Sequence, residues 1–127
     1  MKVSLVSIPV QDPISAHQIY TSKLGFISKE YDPEGNLAIV VSADDPQGVA
    51  ILLEPCKGNF AEEFQRSAYQ ANLPILALEA KNIEVELKNL KAAGVKLRPE
   101  LDKPKWGIQN VFEDGCGNLL MIEQKTI

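Results

Sequence analysis

Histidine occurs once in this 127-residue chain, cysteine twice, and the aromatic residues number eight: one Trp, three Tyr and four Phe. With His17 alone, the two-His, one-carboxylate iron site cannot be assembled from one chain. His17 falls on a predicted helix, flanking its apolar face, where a solvated imidazole is the expectation. Cys56 and Cys116 lie far apart and form no CxxC pair, which leaves a zinc knuckle or dithiol redox site without support. Both read as reduced thiols packed as small hydrophobes. Cys116, between Gly115 and Gly117, sits in a turn that can expose it, but exposure without a neighbouring base does not make a nucleophile.

Long apolar runs are lacking too. The longest, Leu37 to Val41 and Val49 to Leu53, fall far short of the roughly 18 residues a bilayer span demands. Nor is there a basic excess: 13 Lys and Arg against 17 Asp and Glu leave a net charge of -4, and no Lys/Arg stripe interrupts it. Such a surface repels phosphate polyanions, so nucleic acid is not an expected partner. The start, Met1-Lys2-Val3-Ser4, runs into a strand-like pattern without a small-residue cleavage site, and the expected location is the cytoplasm.

What is present is an ordinary globular composition, 45% hydrophobic and 24% charged, in a chain long enough to hold a core without disulfides or structural metal. Val3, Leu5, Val6, Ile8 and Val10 form a β-rich stretch. Asp12-Pro13 then reads as an N-cap with proline in the first turn, and Gly25 as the left-handed residue that closes the helix. Strands are predicted over Phe26–Tyr31, Leu37–Ala43 and Val49–Glu54, giving β-α-β-β-β. The second half repeats the order. Leu73–Ala80 is a strand, Asn82 caps a helix carrying Ile83, Leu87, Leu90 and Gly94 on one face, Val95–Arg98 leads out of it, and Ile108–Phe112 and Leu119–Glu123 form a hairpin.

Gly25 follows Asp12 by thirteen positions and Gly94 follows Asn82 by twelve, so internal duplication is the economical explanation. The chain is thus an α+β protein of two tandem βαβββ modules, about 1–56 and 73–127, joined by a linker helix within about 57–72. Phe60, Phe64 and Ala68 recur every four residues on that linker, and its apolar face needs cover from a sheet or a second subunit.

These modules resemble the vicinal-oxygen-chelate superfamily of glyoxalase I, bleomycin-resistance proteins, fosfomycin-resistance enzymes and extradiol dioxygenases. Val10-Gln11-Asp12, Ala16, Tyr20 and Leu24-Gly25-Phe26 resemble the family's V-x-D, A, F-Y, L-G-F opening. Asn82-Ile83-Glu84 through Leu90-Lys91-Ala92-Ala93-Gly94-Val95 resembles D-I-E, L-K-A-A-G-V. Trp106-Gly107 and Phe112-Glu113-Asp114-Gly115-Cys116-Gly117-Asn118-Leu119 resemble the closing W-G, F-x-D-P-D-G-N-L, with Gly115 in place of Pro and Cys116 in place of the second Asp. The resemblance covers almost the whole chain. It implies paired sheets that form a cup, in a homodimer with two sites.

Catalytic relatives hold one divalent ion on four strands. The resemblance puts Leu5, Ile75 and Met121 at three of those ligand positions and Glu54 at the fourth. Three apolar groups make a poor site for the family's hard metals, so no metal and no other cofactor is expected. An alternative keeps one divalent ion on Glu54, Glu79 and Glu123, because residues two apart on a strand share a face and carboxylates suit Mg²⁺ or Mn²⁺. A further alternative uses a single cavity glutamate, with Glu54 the candidate, as a general base.

Without metal, the expected site is an apolar cavity with a few polar fixtures. Leu5, Ile75 and Met121 would line its floor, and the resemblance assigns Trp106 to a ligand-facing lip, the other reading being a core or interface residue. Arg98 and Gln109 are candidates for orienting an anionic or amide group. The leading expectation is a metal-free, bleomycin-resistance-like protein that binds a small, partly apolar molecule. The alternatives are a metal-dependent lyase or isomerase of the glyoxalase type using Glu54, and a metal-free enzyme with one glutamate as base. Bleomycin is a poor candidate ligand: a cationic drug calls for an acidic, aromatic-lined cleft, and aromatic residues are few.

Overall fold

Two capped and glycine-closed helices organise the chain. In the computed structural model, which describes residues 1–102 and 108–124, the first helix, α1, spans Pro13–Ser22 and the matching helix of the second half, α3, spans Ile83–Ala92. Asp12 accepts hydrogen bonds from the Ile14 amide at 3.0 Å and the Ser15 hydroxyl at 2.9 Å. Those two bonds, the Ser15 one foremost, hold its carboxyl below the usual range. Asn82 accepts from the Val85 amide at 3.3 Å. Both helices are followed by a glycine with φ of +82°; the turn at Gly94 lets the Val95 amide bond back to Leu90, while the Leu24 amide, just ahead of Gly25, bonds back to Ile19.

The strands are β1 (Leu5–Val10), β2 (Phe26–Asp32), β3 (Leu37–Ser42), β4 (Ala50–Pro55), β5 (Leu76–Glu79), β6 (Ile108–Glu113) and β7 (Leu119–Gln124), with α2 over Phe60–Gln70. The chain divides into two compact units, Met1–Gln65 and Arg66–Ile127. In the first unit the sheet order is β1-β4-β3-β2, with β1 parallel to β4 and the other pairs antiparallel. In the second it is β5-β7-β6, with β5 parallel to β7. Residues 96–98 lie along the outer edge of β6 as β2 lies along β3. Leu97 bridges Phe112, the Arg98 amide bonds the Val111 carbonyl at 2.8 Å, and the Glu113 amide bonds Lys96 at 2.9 Å.

The expected fourth strand of the second module is therefore cut to one bridge. Pro99 begins a 3-10 turn through Leu101. The Asp102 carboxylate then takes the place of a neighbouring strand, accepting from the Val111 amide and the Asn110 side chain, both at 2.9 Å. β5 is also shorter than the Leu73–Ala80 expected. Asn72 has a φ of +59°, the Leu73 amide bonds back to Ala68, and Pro74 has no donor, so the ladder starts with the Ile75 amide on the Leu119 carbonyl at 3.0 Å.

Each sheet has one face under its helix. In the first unit Ile8, Val10, Ala38, Val40, Ile51 and Leu53 are buried with Ala16 and Tyr20 of α1. In the second, Phe112, Leu120 and Ile122 are buried, as are Ile83 and Leu90 of α3, which packs on β7. The edge strand β1 carries Pro9, whose missing N–H would face outward. Buried Gln65 donates to the Pro9 carbonyl at 2.9 Å and accepts from Gln11 at 3.0 Å. The linker helix lies where its spacing predicts, but Phe60 and Phe64 are 89% and 56% exposed, so within one chain that part of its apolar face is uncovered.

Adding a Cβ at Gly25 or Gly94 meets nothing within 4 Å, so the cost of Gly25→Ala or Gly94→Ala is the left-handed backbone alone. Each variant should lose about 1 kcal/mol of unfolding free energy in urea titrations.

Candidate functional site

Strand alternation and register decide which side chains share the helix-free face of each sheet. In the first unit that face carries Leu5, Ser7, Ile39, Leu52 and Glu54: Leu5 pairs with Ala50, Ser7 with Leu52, Pro9 with Glu54, and Ile39 with Leu52. Leu5 is 45% exposed and Ile27, on the same face, 42%. Glu54 is exposed. The face is thus largely aliphatic, open at Leu5 and Ile27 and closed at Val41 and Ala50, with Glu54 near the end of β4.

In the second unit the corresponding face is ordered in rows. Ala77, Met121 and Val111 form one row across β5, β7 and β6, and Glu79, Glu123 and Gln109 form the next. Met121, Gln109 and Glu123 are half-buried, Ala77 and Glu79 exposed, Val111 buried. Ile75, half-buried, continues the face two residues before Ala77. Arg98 joins it from the other edge, but its guanidinium is engaged: Nε donates to Glu100 at 2.5 Å and Nη1 to Glu113 at 3.2 Å, with the Tyr69 ring 6.0 Å away. The Arg98 bond draws the Glu100 carboxyl below its usual range. Lys96 adds a 3.5 Å ion pair to Glu113.

Thus Met121, Gln109, Arg98, Ile75, Glu79 and Glu123 share one sheet face, and Leu5 and Glu54 share a face of the other sheet. Trp106 lies outside the described residues. Among the described residues no group of three or more His, Cys, Asp or Glu side chains could hold a metal ion, and no helix is long and apolar enough to cross a membrane.

Three side chains outside the candidate site residues, Asp114, Gln65 and Asp102, are central to the geometry. Buried Asp114 accepts from the Cys116 and Asn118 amides at 2.7 and 3.0 Å and from the Asn118 side chain at 2.9 Å, and the Asn118 carbonyl accepts from the Asp114 amide. The Asp-x-x-Gly-Asn motif is therefore a lock on the β6–β7 turn, with Gly115 and Gly117 at φ of +80° and +97°. Gln65 and Asp102 seal the edges of β1 and β6. A buried Asp followed four residues later by Asn, with glycines between, was the available signal for the first. Gln65 and Asp102 had none, because their partners are distant backbone groups.

His17 is held more closely than a solvated residue: Nε2 lies 2.9 Å from the Ser28 hydroxyl and the ring stacks on Tyr31, centroids 4.0 Å apart. Cys56 is fully buried and Cys116 half-buried, and neither is in a disulfide.

Duplicated modules in which the first strand lies parallel to the last and a helix covers one face of the sheet define the class of fold. The model of the Glyoxalase/Bleomycin resistance protein/Dioxygenase superfamily matches residues 2–122, and the chain belongs to that superfamily. An uncharacterized protein of Bacillus subtilis (strain 168), YurT, is 40% identical over 127 residues, covering 98% of this chain and all of that one. Among solved structures, UcmS2 superposes with a TM-score of 0.78 at 28% identity, over 97% of both chains. TnmS3, an antibiotic binding protein from Streptomyces sp. CB03234, gives 0.72 at 22% identity, over 99% of this chain and 97% of its own, a likeness of fold.

Asp114→Ala removes a charged acceptor from three donors in a buried turn and should cost about 2–3 kcal/mol in denaturant unfolding. Burial, with a smaller contribution from Glu62, pushes the Cys56 thiol up. Alkylation of the native protein with iodoacetamide should therefore reach Cys116 well before Cys56, read by peptide mass mapping.

Proposed function

We propose that this protein binds a small, partly apolar molecule through the helix-free sheet faces, without a metal ion. The observation that carries the reading is Met121 at the centre of its face, flanked in register by Ala77 and Val111, at the position where the resemblance calls for a carboxylate ligand. Leu5 and Ile75 occupy two of the remaining ligand positions. Such a surface offers apolar contact, with Gln109, Glu79 and Glu123 beside it as polar fixtures that fix orientation. The antibiotic-binding description of TnmS3, on the same fold, supports a guest of antibiotic size and character. Arg98, already neutralised by Glu100 and Glu113, contributes a rigid rim more than a free cation for an anionic guest.

The working unit in this reading is a homodimer in the cytoplasm. Cysteines outside any disulfide agree with a reducing compartment, and the exposed Phe60 and Phe64 give a second copy something to cover. An acidic balance argues against nucleic acid as a partner.

Thermal-shift screening with apolar antibiotics and aromatic metabolites tests the reading. A compound at about 100 times its Kd adds about 2.7 kcal/mol to the native state, enough to raise Tm by several degrees. Met121→Arg should abolish that shift and leave the unliganded protein folded. Protein purified without chelator should carry far less than one equivalent of divalent metal. Near-stoichiometric Ni²⁺, Zn²⁺ or Mn²⁺, lost in Glu54→Gln, would assign the metal-dependent lyase instead.

A further inference from the structure

On the helix-covered side of the first sheet, far in register from Leu5 and Glu54, three polar side chains meet at the α1–β2 contact. His17 Nε2 is 2.9 Å from Ser28 Oγ. The His17 ring lies flat on Tyr31, 11° from parallel. Ser28 is exposed, His17 half-buried, and Tyr31 43% exposed. The grouping depends on a backbone irregularity. Residues three apart on a regular strand point to opposite faces, yet Ser28 pairs with Val40 and Tyr31 with Ala38, both on the α1 side, because the register shifts between Ser28 and Glu30. The extra residue, Lys29, is a β-bulge. It turns Ser28 and Tyr31 to the same side, and one imidazole touches both.

The geometry points to a nucleophile–base pair: Ser28 as the attacking hydroxyl, His17 as its general base, and Tyr31 as the surface that holds the ring in plane. A hydroxyl is a weak nucleophile until a positioned base takes its proton. With the ring proton on Nδ1, Nε2 accepts the hydrogen bond from Ser28 and is poised to do so. The class of substrate is an activated acyl ester with a good leaving group, such as an aryl ester. Ser28 Oγ forms a bond to the acyl carbon and its proton passes to His17 Nε2. The bond from the acyl carbon to the aryl oxygen breaks, and the proton moves from Nε2 to the departing aryloxide. Water gives a proton to the same nitrogen as its oxygen bonds to the acyl carbon; the bond from the acyl carbon to Ser28 Oγ breaks, and the proton on Nε2 passes to Oγ, which releases the carboxylic acid and restores the hydroxyl. No oxidant, reductant or metal enters the balance. The half-open Tyr31 ring offers a neighbouring face against which an aryl leaving group can pack.

The test uses the intact chain, a fluorophosphonate probe and p-nitrophenyl acetate. The expected result is a covalent adduct mapped by mass spectrometry to Ser28, absent in Ser28→Ala, together with release of p-nitrophenol. His17→Gln, which keeps a side-chain hydrogen bond but not the base, should slow adduct formation by about a hundredfold, with melting and circular dichroism unchanged. The native rate at Ser28 is also compared with that of the urea-unfolded chain, which needs no variant. Labelling of Ser28 no faster in the native than in the unfolded protein, or undiminished in folded His17→Gln, overturns the proposal, as does labelling confined to other residues. Because the probe reports on Ser28, the outcome is independent of whether the opposite sheet face binds a guest.

Discussion

The first strand of each module lies parallel to the last, β1 on β4 and β5 on β7. Parallel neighbours cannot be joined by a hairpin and require a crossover, so each module must send a helix over one side of its sheet before the intervening strands are laid down. That commits one face to burial beneath α1 or α3 and leaves the opposite face without a cover inside the module. The buried set, Val10, Val40 and Leu53 in the first sheet and Phe112, Leu120 and Ile122 in the second, and the half-open set, Leu5, Ile39, Met121 and Gln109, are two results of one connectivity. The face proposed to take a guest is what the crossover leaves over.

Much of this was legible in the sequence because it is local chemistry. Asp12, Asn82, Gly25 and Gly94 announce their roles through side-chain caps and left-handed backbone, and both helices begin one residue after their caps and end within three residues of their glycines. The strands of the first module follow equally from alternation. The misses are non-local. Nothing in Leu73-Pro74-Ile75 states that the Leu73 amide turns back to Ala68, and nothing in Val95–Arg98 reveals that its pairing with β6 shrinks to one bridge.

The candidate site was legible as a list of faces and not as a set of contacts. Counting back from the two N-caps places Leu5 and Ile75 seven residues upstream, and the observed caps keep that count. Register adds what spacing could not, that Glu79 and Glu123 share a row with Gln109. The pinning of Arg98 by Glu100 and Glu113 depends on how residues 96–98 lie against β6, and the grouping of Ser28 with Tyr31 on a bulge, neither of which leaves a mark on hydropathy. The Asp114–Asn118 lock shows the reverse: a motif that serves as a family marker owes its composition to the hydrogen-bond needs of a tight turn.

The outer strand β1 raises a matter of self-association. A bare strand edge is an invitation to a neighbouring molecule's backbone. Here the edge is interrupted at Pro9, which has no amide hydrogen to offer, and the carbonyl there is already held by the Gln65 side chain. A foreign strand trying to zip along β1 would stall at that point with a gap in its ladder. The same pair of residues that finishes the fold thus also serves as a guard against fibrous stacking, at a concentration of native protein where an unprotected rim would be a hazard.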